Sequence, residues 1–293
     1  MNGIKIHWSF RCGRQLSKVF ASSILILVLM IPAALAKDPY QPTVLITGSN
    51  RGIGLEFARQ YAELGWKVIA TARRPEAATE LHALGKQRPN VIIEQLDVTN
   101  ESHITALAAQ YGGQPIDLLI NNAGISNRHA KLDTPYDVKD FRDTLEVNTF
   151  APLRISQAFL DSILQSHQKK IAVLASRLGS IEWAPYAAVD SPFEDELWYA
   201  ISKAGVNMGM RRMAAQLKGD GVSVAILFPG PTATDMLAAA GIDLSKLQSP
   251  GQSGVKTLQT PEQAVRGMIA FLEKLDLEKS GRFFGHDGEE VPW

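Results

Sequence analysis

The sequence predicts an α/β fold: one doubly wound domain around a mostly parallel seven-stranded sheet. Three observations carry that prediction. From Thr43 onward, short apolar runs alternate with amphipathic stretches, as successive βα units require. The runs are nearly continuous in Val, Ile and Leu, the pattern of strands covered on both faces. No internal repeat, low-complexity linker or second compositional block interrupts residues 40 to 293. Strands are expected at "TVLIT", "KVIATA", "NVIIEQLD", "DLLINNA", "KIAVLAS" and "VSVAILF", with a last one near "GRFFG". Helices are expected around 53–64, 76–86, 101–111, 138–166, 199–218 and 261–275.

The segment before this domain differs in kind. Lys5, Arg11, Arg14 and Lys18 lead into the uncharged run "VFASSILILVLMIPAALA". A basic lead, an apolar run and small residues up to Ala36 read as an export signal spanning residues 1–36. An uncleaved membrane anchor through residues 19–36, or a start assigned too early with Met30 as the true one, are the alternatives. The first two place the protein on the exported side of a membrane; the third leaves it in the cytoplasm. In the chain of 293 residues, Lys plus Arg and Asp plus Glu both number 30, so no polyanion-binding surface, and no nucleic-acid partner, is expected. The six histidines are scattered and Cys12 is the single cysteine, which excludes an internal disulfide and a thiolate metal site.

Taken in order, the first strand ends in "TGSNRGIG" and opens a helix. Such a turn is a phosphate cradle: the helix N-terminus offers unpaired N–H groups, and Gly48, Gly52 and Gly54 let the backbone approach a pyrophosphate. A tight strand-to-helix turn without a ligand is the plainer alternative. At the end of the second strand, where an acid would bond an adenosine 2′-hydroxyl, stand Arg73 and Arg74. With Arg51 in the glycine turn, they favour a 2′-phosphate, hence NADP(H) over NAD. Solvated loop charges are the alternative for that pair.

In the long fourth helix, Phe141, Leu145, Asn148, Pro152, Ile155 and Phe159 form one stripe. A buried Asn148 needs specific partners. Pro152 has no N–H for the carbonyl of residue 148, which leaves that carbonyl open to a water leading toward Lys203, or simply marks a kink. Ser176 follows the fifth strand, at the sheet edge where ligands bind, and Ser180 in the same loop is its rival. Tyr199 and Lys203, four apart in "YAISK", share a helix face. An ammonium there can lower the phenol's proton affinity and make it a usable acid; a core ring and a surface charge on an ordinary helix are the plainer alternative.

With these motifs in place, the chain resembles the short-chain dehydrogenase/reductase family from Thr43 to the C-terminus. "TGSNRGIG", "LDVTN", "NNAG", "EVNT", "LAS", "YAISK" and "PGPTATDM" occur in order. The resemblance implies a Rossmann-type fold, with Asn50, Arg51 and Ile53 joining the three glycines around the cofactor. It implies further that Asp97 and Val98 flank the adenine, that Asn121, Ala123 and Gly124 line the cofactor, and that Pro229, Gly230 and Thr232 sit by the nicotinamide. Ser176, rather than Ser180, aligns with the family's serine. Tyr199 becomes the acid, Lys203 tunes it and holds the nicotinamide ribose, and Asn148 joins a proton relay. "SRLGSI" and "DGEEVPW" are most similar to C-factor-like and sniffer-like carbonyl reductases. One departure is the longer stretch between Ser176 and Tyr199, "IEWAPYAAVDSPFEDEL", expected to loop over the site and alter the substrate pocket. The implied function is reversible hydride transfer between NADP(H) and a small carbonyl or secondary alcohol. A non-catalytic cofactor sensor on the same fold is the alternative, and a nucleotide-sugar epimerase or dehydratase a weaker one. Relatives' habits imply a homodimer or homotetramer.

Overall fold

A computed structural model describes residues 40–126, 135–184, 196–239 and 258–293. The seven apolar runs form β1 (Thr43–Ile46), β2 (Lys67–Ala72), β3 (Val91–Gln95), β4 (Leu118–Asn121), β5 (Lys170–Leu174), β6 (Ser223–Phe228) and β7 (Phe283–Gly285). Their order is β3-β2-β1-β4-β5-β6-β7. Every neighbouring pair is parallel, so the sheet is wholly rather than mostly parallel. The helices are α1 (Gly52–Glu63), α2 (Thr79–Gln87), α3 (Glu101–Gln110), α4 (Val138–Leu145), α5 (Ala151–Ala158), α6 (Leu160–Leu164), α7 (Leu197–Leu217), α8 (Asp235–Ala239) and α9 (Pro261–Glu273). The short α8 is absent from the helices the sequence predicts.

Alternate strand residues feed two cores. Val44 and Ile46 pack with Phe57, Leu81 and Met268 under α1, α2 and α9. Leu45, between them, packs with Ile104, Ile155 and Val206 under α3, α5 and α7. Full burial of each such side chain stabilises the fold by roughly 1.5–3 kcal/mol, which explains why both strand faces had to be apolar.

The predicted helix 138–166 is broken. Between α4 and α5 the backbone widens into a π turn, Glu146–Phe150, in which the Ala151 N–H reaches the Glu146 carbonyl. Pro152 cannot donate to the residue four before it, so the ladder loses its regular bond at that point. A second break falls at Phe159, the junction of α5 and α6. Two buried ions then tie layers together. Lys170 donates to the Leu272 carbonyl at 2.6 Å and the Glu273 carbonyl at 3.3 Å, closing the end of α9. Asp117 accepts from the Thr43 N–H at 2.9 Å and the His167 N–H at 3.2 Å.

Residues Gln41–Trp293 form one compact unit. The N-terminal segment read as a signal or anchor lies outside the described residues. Among the described residues no helix is long and apolar enough to cross a membrane, and nothing in them supports the signal or the membrane assignment.

Candidate active site

The strand order reverses between β1 and β4, and ligands of doubly wound sheets bind outside the carboxyl ends of such a pair. There Gly48 and Gly52 adopt φ of 68° and 58°, a region glycine enters freely. A methyl group on Gly54 would lie 2.2 Å from the Gly48 carbonyl oxygen and 2.4 Å from Asn122 Nδ2. Asn122, which the sequence reading quoted in "NNAG" without assigning it a role, fixes this close approach. Its Nδ2 donates to the carbonyls of Thr47 at 2.9 Å and Gly48 at 3.0 Å. The Asn122 and Ala123 N–H groups both donate to Thr47 Oγ1 at 3.0 Å. The segment after β4 is thus laced to the glycine turn.

Helix α1 starts without a side-chain cap and without an acid in its first turn, whereas Asn100, Asp137 and Thr260 cap α3, α4 and α9. Its first N–H groups therefore present a partial positive charge at the crevice, a donor set that fits a dinucleotide's phosphates. Of the residues within the turn, Asn50 and Arg51 are exposed, while Ile53 packs against the core and can serve a ligand through its backbone alone. Buried Asn121 donates through Nδ2 to Ser156 Oγ at 3.1 Å, and its Oδ1 has no partner among the described residues. A buried acceptor left in that state is uncommon and suits a ligand-lined crevice.

The arginines do not all converge. Arg73 and Arg74 are exposed beyond β2. Arg51 instead pairs with Asp235 at 2.9 Å, bridging the glycine turn to α8. Asp97 accepts from the Thr99 N–H at 3.0 Å and from Thr99 Oγ1 at 2.7 Å. Burial opposes its ionisation, but those bonds, with the charges of Arg73 and His103, hold its carboxyl below the ordinary value. Its neighbour Val98 is a buried core residue.

Ser176 lies just past β5, its Oγ accepting from the Leu178 N–H at 3.2 Å, and its hydroxyl acts on the Tyr199 phenol. Ser180 instead accepts from the Trp183 N–H at 3.1 Å and only closes a turn. Gly179 sets the register of this loop. A methyl group there would stand 2.6 Å from the Lys203 carbonyl carbon, so glycine lets the loop lie directly on α7. Lys203 is buried, donates to the Leu174 carbonyl at 2.7 Å, and places Nζ 5.4 Å from the centre of the Tyr199 ring. It therefore meets the face of the ring rather than bonding the phenolic oxygen. Burial pulls its pKa down to about 8. The Tyr199 phenol is pushed above its ordinary range by burial and then by the charge of Glu196, while the Ser176 hydroxyl acts the other way.

Asn148 has the specific partners that its burial demands. Its Oδ1 accepts from the Ile125 N–H at 2.9 Å, and its Nδ2 donates to the Ile125 carbonyl at 2.8 Å and to Ser202 Oγ at 3.0 Å. The amide braces the segment after "NNAG" against α7. Gly124 makes room: a methyl group there would be 3.3 Å from Asn148 Oδ1 and 3.7 Å from Lys203 Nζ.

At the end of β6, Gly230 has φ of 79° and follows Pro229. Thr232 Oγ1 bonds the Pro229 and Gly230 carbonyls at 3.2 Å and 3.1 Å. Gln259 and His286 sit beneath this turn, where a Gly230 methyl group would meet Gln259 Nε2 at 2.8 Å. The predicted loop over the site falls mostly on residues 185–195, outside the described residues.

A glycine cradle at the reversal of strand order, with a serine, tyrosine and lysine gathered beside it, defines the class: a dinucleotide-dependent oxidoreductase. The chain belongs to the short-chain dehydrogenase family, whose model, described as short chain dehydrogenase, matches residues 42–244. The NADPH-bound carbonyl reductase from chicken fatty liver is 32% identical, with a TM-score of 0.75 over 87% of this chain and 100% of that one. The carbonyl reductase Sniffer of D. melanogaster is 25% identical, with a TM-score of 0.71 over 87% and 100%. C-signal of Myxococcus xanthus is 35% identical over 183 residues, 61% of this chain and 93% of its own. These are the groups that "SRLGSI" and "DGEEVPW" resemble.

Proposed function

We propose that the protein is an NADP(H)-dependent carbonyl reductase, acting reversibly on a small carbonyl compound and its secondary alcohol. The observation that carries this reading is the gathering of Ser176, Tyr199 and a buried Lys203 at the carboxyl ends of the strands, with Lys203 Nζ 5.4 Å from the Tyr199 ring. The relatives' NADPH supports the same cofactor here, and Arg73 and Arg74 are the residues to hold its 2′-phosphate. Gly48, Asn50, Gly52 and Gly54, with the N–H groups of α1, hold the phosphates. Asn121, Ala123, Gly124, Pro229, Gly230 and Thr232 line the nicotinamide half.

When bound, NADPH supplies the hydride. Tyr199 gives its phenolic proton to the carbonyl oxygen as the charge develops there. Ser176 orients that oxygen by hydrogen bonding. Lys203 stabilises the phenolate left behind, and Asn148, through its main-chain carbonyl, marks the route by which the proton is replaced. A pure cofactor sensor has no use for this cluster.

The direct test follows NADPH oxidation with a panel of aldehydes, ketones and quinones. Turnover with at least one class is expected; tight NADPH binding with no oxidation of any member points to the sensor instead. Arg73→Ala is expected to weaken NADPH binding by about 10- to 100-fold, as loss of a charge-assisted phosphate contact does. NADH binding should hardly change; an equal effect on both cofactors refutes the 2′-phosphate assignment.

A further inference from the structure

Glu196 is left unused by the mechanism above. It stands before the first turn of α7, yet its side chain does not cap the helix. It is 4% exposed, an expensive place for a carboxylate. Its Oε2 accepts from Ser126 Oγ at 2.5 Å, and Ser126 follows directly on the cofactor-side segment "NNAGI". Positions 196, 199 and 203 are three and four residues apart, so carboxylate, phenol and ammonium follow one another along one face of the helix. Along the chain the phenol lies between two buried ionisable side chains, Glu196 and Lys203. Among the described residues, the other elements beside it bring the Ser176 hydroxyl from the loop after β5 and the Asn148 amide acting through Ser202.

We propose that Glu196 is a positioning residue that sets the pH range over which the site gives up its proton. Its charge, anchored by Ser126, holds Tyr199 in the phenol form that a carbonyl reduction needs, and opposes the phenolate that an alcohol oxidation needs. Lys203 acts in the other direction, and the balance of the two charges places the changeover. Glu196 pushes the proton affinity of the phenol upward, in the sense of this placement. The consequence for catalysis rests on the reductase reading; the titration below does not.

The test labels the full chain with tyrosine carrying ¹³C at Cζ, and identifies the Tyr199 signal by its loss in Tyr199→Phe. The signal is followed against pH with NADP⁺ bound, in the parent chain, Glu196→Gln and Glu196→Asp. In Glu196→Gln it should begin to move about one pH unit lower, the size expected of one buried charge at this range. Glu196→Asp, which keeps the charge, should stay close to the parent. A Gln variant that moves no earlier than the parent overturns the proposal. So does an Asp variant that shifts as far as Gln, since packing rather than charge would then be responsible. If the expected shift is seen in a chain that reduces no carbonyl, the reductase reading falls alone.

Discussion

At the scale of single residues, chemistry was more legible than mechanics. Tyr199, Lys203 and Ser176 were expected together only because their spacing and strand-end placement fall within an ordered set of family motifs. What Asn148 does could be read only halfway. Its burial demanded partners, but the partners, Ile125 and Ser202, lie 23 and 54 positions away and no local rule joins them. Glu196 fell within an acidic and aromatic stretch whose pattern gave no hint that one carboxylate is buried and bonded to Ser126. Asn148→Ala removes three bonds and leaves a partly buried N–H and carbonyl of Ile125 unpaired. It should cost roughly 2–4 kcal/mol of stability in urea unfolding. A variant of full stability and lost turnover would assign this asparagine to chemistry alone.

At the scale of elements, all seven strands fall within or next to the expected runs because burial on both faces leaves an unbroken apolar signature. The fourth helix fell short for a complementary reason: its apolar stripe is continuous, and stripe periodicity cannot register a π turn that keeps the same face buried. Proline at 152 was the available sign. The glycine turn separates two meanings of glycine. Gly65, after α1, has φ of 81° and open space around its α-carbon. Gly65→Ala should therefore cost roughly 1 kcal/mol, the strain of a left-handed alanine. Gly54→Ala meets backbone oxygen and Asn122 instead, and should cost roughly 3 kcal/mol or more, with loss of cofactor binding. Thermal unfolding with and without NADPH measures both; similar small losses would mean that the turn is not as tightly laced as described.

At the scale of the whole molecule, buried ionisable groups give stability a definite pH dependence. Burial lowers the Lys203 pKa from 10.5 to about 8, so between those values the unfolded chain binds the additional proton. Stability contributed this way rises with pH across that window. Burial raises the phenols of Tyr61, Tyr111 and Tyr199 above 10. Their contribution is complete below pH 10 and is lost as pH climbs through their folded-state values. Cofactor-free protein should therefore gain stability from pH 8 toward 10 and lose it beyond, and Lys203→Met should flatten the rise. An unchanged rise in that variant would place its origin elsewhere, with Lys170, also lowered by burial, the next group to examine.

Cofactor cradle and proton donor form one machine only if they can be separated by a single oxygen atom. The decisive measurement compares Tyr199→Phe with the parent chain for NADPH affinity, by nucleotide fluorescence, and for carbonyl turnover. The account predicts affinity within about twofold and turnover reduced by about a hundredfold or more, the usual yield of a general acid. A phenylalanine variant that turns over normally, or one that loses affinity and turnover in equal measure, would contradict it.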